Sequence, residues 1–173
     1  MKKRRFLALF LAGVVATPCV FGLSLSVQVV QNVGDEEEPS LISSLIEQSV
    51  IDYFFESGHI VSSSPVYVLS TDDKNKKALK AALRDTQDGG LDYLVTITVD
   101  YAVEKELKKS AALLLQYIQS ASWKVYAAST GKELASGSGR PSAISNANNN
   151  EKGIIKFSSQ LASQINAGLQ KNR

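Results

Sequence analysis

Hydrophobic and polar residues alternate with two different periods along this chain, and the switches between them mark out its elements. In "LSLSVQVVQ" (Leu23 to Gln31), Leu23, Leu25, Val27 and Val29 recur at every second residue, as in a strand with one covered face. "NVGDEEEPS" then turns the chain. Its acids Asp35 to Glu38 precede Pro39, whose fixed φ suits the first turn of a helix with a positive N-terminal end. From Leu41 to about Ser57 the apolar positions Ile42, Leu45, Ile46, Val50, Tyr53 and Phe54 follow helical spacing, and Gly58 is the expected C-terminal cap.

"HIVSSSPVYVLS" is β-branched but interrupted by Pro65, so it reads either as one strand and a loop or as two short edge pieces. "TDDKNKKALKAALRDTQDGG" predicts a second amphipathic helix, with Asp72 or Asp73 as cap, Leu79, Ala82 and Leu83 turned inward and Gly89-Gly90 as the stop. "LDYLVTITVDYAVEK" sets Tyr93, Val95, Ile97, Val99, Tyr101 and Val103 on one strand face and Thr96, Thr98 and Asp100 on the other. The next segment, "KKSAALLLQYIQSASWKVYAAS", opens with helix formers. Leu113, Leu115, Tyr117, Trp123 and Val125 nevertheless share one parity, which predicts a long strand folding back on the previous one. "STGK" is a tight turn with Gly131 at the position needing positive φ, and "KELASGSG" returns as another strand. An Asn-rich loop, "RPSAISNANNN", leads to a last helix with Ile154, Phe157, Leu161 and Ile165 on one face. The order β-α-β-α-β-β-β-α predicts a two-layer α+β domain, a mixed sheet with three helices on one face.

The first 22 residues break this pattern. Lys2 to Arg5 precede an apolar run from Phe6 to about Ala16, too short to span a bilayer as a mature helix, which is the signature of a secretory signal peptide. Lipoprotein processing wants a small residue before the cysteine, but Pro18 precedes Cys19; Val20 and Gly22 suit cleavage between Gly22 and Leu23. Membrane association follows only if Cys19 is retained and lipidated. The expected division is therefore a signal peptide at 1–22 and a single envelope domain at 23–173. Losing the leader removes four cations and no acids, so the 19 Lys and Arg against 17 Asp and Glu become 15 against 17. The positive formal charge belongs to the leader, and a near-neutral mature surface is a poor match for nucleic acid. Without Cys19 no cysteine remains for disulfides or thiolate chemistry.

Three stretches carry a resemblance to a known group. The helix end and strand entry "FFESGHIV", the glycine-preceded strand "LDYLVTITV" and the hairpin "WKVYAASTGKEL" resemble the periplasmic α+β domains of three kinds of protein. These are the curli secretion channel, the outer-membrane lipoprotein activators of penicillin-binding proteins and the N-terminal domain of TolB. The resemblance runs from about Leu25 to Leu169. The chain departs from it at the lipid-bearing cysteine and in "SSSPVYVLS", which lacks the charged residues often found behind the second strand. It implies assembly, regulatory or scaffolding work in the bacterial envelope, through a protein partner that it does not specify.

No stretch carries a recognisable catalytic, cofactor or metal motif. His59 is the only histidine and follows a helix cap, where a structural role is expected. Asp35 to Glu38 are contiguous, unlike the alternating ligands of a calcium loop, and Asp85, Asp88 and Asp92 straddle a helix end and a Gly-Gly turn, where carboxylates cap and solubilise. "STGKE" lacks the upstream glycine of a phosphate loop and has Glu133 where Ser or Thr would bind magnesium, and "SGSGR" lacks the spacing of a nucleophile elbow. Tyr93, Tyr101, Tyr117, Trp123 and Tyr126 fall mostly on core-facing parities. The expected function is a non-enzymatic secreted or periplasmic protein-binding domain in envelope assembly, regulation or secretion. The alternative is a small envelope hydrolase or ligand-binding enzyme, with a pocket gathering His59, Asp and Ser side chains in three dimensions. The expected binding residues are Glu133, Leu134 and Ala135 on a short edge strand, with Arg140, Asn146, Asn148 and Asn149 on the loop expected to be mobile after it.

Overall fold

Five strands form one mixed sheet in the order β2-β1-β3-β4-β5. The structure, a computed structural model, describes residues 22–32, 40–101 and 113–171. Residues 1–21 with Cys19, the acidic run Asp35 to Glu38, Pro39, Val103 and residues 108–112 at the start of the ambiguous segment lie outside these residues. In chain order the elements are β1 (Ser24–Asn32), α1 (Leu41–Glu56), β2 (Ile60–Val68), α2 (Asp72–Asp88), β3 (Tyr93–Tyr101), a 3-10 turn (Leu115–Tyr117), β4 (Ile118–Ala127), β5 (Glu133–Gly139) and α3 (Glu151–Lys171). β1 is parallel to both β2 and β3, whereas β3–β4 and β4–β5 are antiparallel. The α+β class and the order of elements are those expected from the sequence.

The alternating apolar residues meet as their parity requires. Leu25, Val27 and Val29 of β1, Val95, Ile97 and Val99 of β3, and Ala121, Trp123 and Val125 of β4 form one continuous core. α1 covers it with Ile42, Ile46, Val50 and Phe54, and α3 with Ile154, Phe157, Leu161 and Ile165. Each such Val, Leu, Ile or Phe side chain, buried, contributes roughly 1.5–3 kcal/mol.

The placement of α2 corrects the expectation of three helices on one face. α2 packs Ala82, flanked by Leu79 and Leu83, against Leu94 and Tyr126, whose strand neighbours Val95 and Val125 face the main core. Successive strand residues point to opposite faces, so α2 lies on the other side of the sheet and the domain has three layers. Crossover chirality explains this. A parallel β-α-β connection is right-handed; β1 to β2 steps one way across the sheet and β2 to β3 steps back past β1, so the two connecting helices fall on opposite faces.

Local chemistry sets the element ends. Ser40 caps α1, its side chain accepting the Ser43 N–H at 3.1 Å. The far end closes at Gly58 (φ 81°), where the Gly58 and His59 N–H groups donate to the Phe55 and Phe54 carbonyls. α2 is preceded by Thr71 at the cap position, with Asp72 and Asp73 in its first turn rather than capping it. β2 is a single edge strand that runs through Pro65. Its pairing with β1 jumps from Gln28–Ser64 to Val30–Tyr67, so Pro65 and Val66 form a bulge opposite Val29, where the missing N–H of proline does no harm.

The expected long strand after residue 104 is shorter where it is described. Leu115 and Tyr117 reach the core from the 3-10 turn, and β4 begins at Ile118. The pairing with β3 shifts between Asp100–Ser120 and Tyr101–Ile118, so Gln119 is an extra residue and the inward parity changes across it. At the end of the sheet where β1 and β3 finish, Gln31 is fully buried. Its Oε1 accepts from the Ser40 N–H and the Ser43 hydroxyl, both at 2.8 Å, and Ser43 Oγ lies 2.6 Å from Tyr101 Oη.

Candidate functional site

The β4–β5 hairpin places Glu133, Leu134 and Ala135, three of the expected binding residues, on β5 at one border of the sheet. Gly131 turns the chain with φ 66°, its N–H donating to the Ala127 carbonyl at 2.8 Å while the Ala127 N–H donates to Lys132 at 3.0 Å. β5 then pairs with β4, with a bulge at Leu134. Among the described residues no strand pairs with the outer side of β5. At its start, Lys124 Nζ donates to Glu133 Oε2 at 2.9 Å. That hydrogen bond, helped by Ser136, holds the Glu133 carboxyl below its ordinary range and is the main cause raising Lys124. Burial pushes the neighbouring Tyr126 phenol up.

The small residues of β5 have a reason that sequence reading missed. A Cβ on Gly137 would stand 2.5 Å from Trp123 Cζ2, and one on Gly139 would stand 2.9 Å from Leu161 Cδ2. Trp123 and Leu161 therefore lie across bare backbone, and the glycines are packing positions on the inner face as well as a source of a thin edge. The signal was the pairing of the only tryptophan with a glycine on the adjacent strand, which a one-strand pattern does not show.

Past Arg140, which is exposed, the loop is tied to the fold. Asn148 Oδ1 accepts the Ser145 N–H at 2.7 Å, and its amide donates to Ala143 O at 3.1 Å. Asn149 exchanges two bonds with Gln116, one to backbone at 2.9 Å and one to side chain at 2.8 Å. Asn150, just ahead of α3, accepts from the Gly153 N–H at 3.2 Å, a helix-capping bond. Asn148 and Asn149 thus use their amides inside the protein, while Arg140 and Asn146 face solvent.

The remaining candidates for chemistry do not converge. His59 Nδ1 accepts the Leu23 N–H at 3.1 Å and its ring leans on Phe54, with centroids 5.7 Å apart. Asp92 accepts from the Ser24 hydroxyl at 2.6 Å, Asp88 pairs with Arg84 at 3.4 Å, and Asp100 accepts from Asn32 and Ser120. A cleft of about 170 Å³ lies between α2 and the sheet, lined in part by Gln28, Tyr67, Thr96, Thr98 and Lys124. It is smaller than the usual small-molecule pocket. Among the described residues no three His, Cys, Asp or Glu side chains gather as a metal site, and no helix is long and apolar enough to cross a membrane.

Residues 24–170 match the model of a family described as "Uncharacterised protein". No curated protein matches the sequence. Solved structures similar to this chain include a PelC dodecamer from Paraburkholderia phytofirmans, at 13% identity and TM-score 0.44 over 86% of this chain and 88% of that one. Lipoprotein GNA1162 from Neisseria meningitidis is similar at 23% identity and TM-score 0.40, over 83% of this chain and 99% of that one. TolB from Acinetobacter baumannii is similar at 11% identity and TM-score 0.40, over 84% of this chain and 28% of that one.

Proposed function

We propose, for this chain, which belongs to the family whose model spans residues 24–170, a non-enzymatic protein-binding role in the bacterial cell envelope. The observation that carries the proposal is the outer side of β5, to which a partner strand adds by main-chain hydrogen bonding. Glu133, Leu134 and Ala135 supply that edge, Arg140 directly follows it, and Asn146 lies exposed further along the loop in which Asn148 and Asn149 hold their hydrogen bonds. The opposite border is less suited to the task, since β2 carries a proline bulge, a feature that blunts edges. The secretory leader supports a periplasmic or secreted location, with residues 23–173 as one working domain. The separate partners of His59, Asp88 and Asp92 favour binding over catalysis.

Proline scanning tests the edge. Successive strand amides point to opposite sides, so of Ala135→Pro and Ser136→Pro one removes a ladder donor to β4 and the other a donor facing outward. The variant that keeps native circular dichroism is the outward one. It should lose at least tenfold in cross-linked partner capture from envelope extract, about 1.4 kcal/mol. Full capture by that variant would refute binding through β5.

A further inference from the structure

We propose that His59 is the built-in acceptor for the α-amino group released at Leu23 when the leader is removed. Cleavage hydrolyses the Gly22–Leu23 amide, taking up one water and leaving a carboxylate on Gly22 and an ammonium on Leu23. The catalyst is a signal peptidase, and this inference rests on cleavage at that bond, not on partner binding.

The fold begins at Leu23 in every respect that the geometry records. The Leu23 side chain is buried in the main core and its carbonyl accepts the Ile60 N–H at 2.8 Å, whereas Gly22 is exposed and outside the strand. The Leu23 nitrogen donates to His59 Nδ1 at 3.1 Å. Residue 22 also passes hard against the Gly58 carbonyl, where a Cβ would collide. Once residue 22 has left, that carbonyl oxygen borders the freed space, beside the imidazole acceptor.

The ring itself is set for accepting. With Nδ1 accepting the Leu23 N–H, the proton of the neutral ring sits on Nε2, and Nε2 is buried with no hydrogen-bond partner among the described residues. Leaving a buried donor unpaired is unfavourable. The opposite tautomer would leave two N–H groups facing each other at Leu23, so the observed arrangement keeps Nδ1 as an acceptor at the expense of Nε2. The Schellman turn at Gly58 and the Phe54 ring fix the imidazole in that pose. An ammonium is a stronger donor than the amide it replaces, so the contact strengthens on processing.

The test uses protein secreted with its own leader and recovered from the periplasm. Intact mass should place the N-terminus at Leu23. Acylation of the α-amine by a water-soluble active ester, read by peptide mapping, should be about tenfold slower than in an unstructured peptide with the same end, as one hydrogen bond to a charged group implies. In His59→Phe, which keeps a ring against Phe54 but offers no acceptor, acylation should return to the peptide rate. A chain released to begin at Gly22 supplies a second reading that needs no variant to fold, because its exposed amine should react at the peptide rate. A mature end at a lipidated Cys19, or at any residue other than Leu23, overturns the cleavage on which the proposal rests. A Leu23 amine that reacts at the peptide rate overturns the role of His59 and leaves the cleavage standing.

Discussion

Replacing Gly137 with alanine adds one methyl group to β5 and should destabilise the domain through a single side chain. The new Cβ would stand 2.5 Å from Cζ2, 2.7 Å from Cε2 and 3.0 Å from Nε1 of Trp123, all atoms of one rigid ring. The indole has no room to withdraw. Trp123 is buried, and on α3 a Cβ at Gly168 would already stand 3.1 Å from its Cη2. Overpacking of this kind costs about 1–3 kcal/mol. Against it stands the smaller conformational entropy of an unfolded chain with alanine, about 0.4–1 kcal/mol, since Gly137 is not among the glycines with positive φ. The net expectation is a loss of about 1–2 kcal/mol, or a melting temperature lower by roughly 2–8 °C for a domain of this size. Urea unfolding followed by tryptophan fluorescence reads the site directly, because Trp123 is the only tryptophan. Ser136→Ala, at an exposed neighbour, should stay within about 0.5 kcal/mol of the parent. In a cycle with Trp123→Phe the smaller ring relieves the clash, so the double variant should be more stable than the two single losses add up to, by about 1 kcal/mol. Unchanged stability in Gly137→Ala, or strict additivity in the cycle, would refute the packing argument.

Gly58→Ala should lose about 1–2 kcal/mol in thermal or urea unfolding, because φ 81° is strained for a residue with a Cβ even though nothing stands in the way of the methyl group. Burial raises the Glu47 carboxyl, partly offset by the Ser63 hydroxyl at 2.9 Å, so folding favours its protonated form. That contribution is present below the ordinary carboxylate range and is lost as pH rises through the raised value. Glu47→Gln should therefore melt higher than the parent at pH 7, with the advantage vanishing at pH 3. Ser43→Ala removes a donor to Gln31 and a partner of Tyr101 in a fully buried setting, and should cost about 1–3 kcal/mol by the same unfolding assay. Hydrogen exchange measured by mass should show α2 opening more readily than α1, since α2 is held by a small cluster around Ala82, Leu94 and Tyr126 while α1 lies on the main core.

Where a segment obeyed one period, its reading survived folding. β3 and the apolar faces of α1 and α3 contain the residues expected of them, because burial on one face writes a regular pattern. The failures came from information that no single segment holds. Leu115 and Tyr117 share the parity of Trp123 and Val125 along the sequence and so looked like one strand with them, although they reach the core from a 3-10 turn and the bulge at Gln119 breaks the alternation between the two sets. The side on which α2 packs depends on the spatial order of β1, β2 and β3, and the chain carries only the faint signal of Leu94 and Tyr126 standing out of phase. The β5 border was legible as a short edge strand. Its glycines answer to Trp123 and Leu161, far away in sequence, which a reading of that strand alone does not show. The asparagines were read from composition as loose, whereas their fixed geometry rests on Gln116 and on the start of α3.

The position of β1 has a consequence in time. It leaves the ribosome, or a secretion channel, before any other strand, yet it ends up between β2 and β3 with both edges paired. Its partner on one side begins at Ile60 and on the other at Tyr93, so Leu25 must wait for 68 more residues before its second neighbour exists. β2 can pair with one edge of β1 as soon as Ile60 to Val68 have emerged, but the edge that β3 will occupy stays open until Tyr93 and its neighbours follow. The sheet therefore cannot be completed around β1 until β3 is available. A holding chaperone that grips Leu23 to Val30 would shelter the chain during the delay, and release would come when β3 displaces it from the same edge.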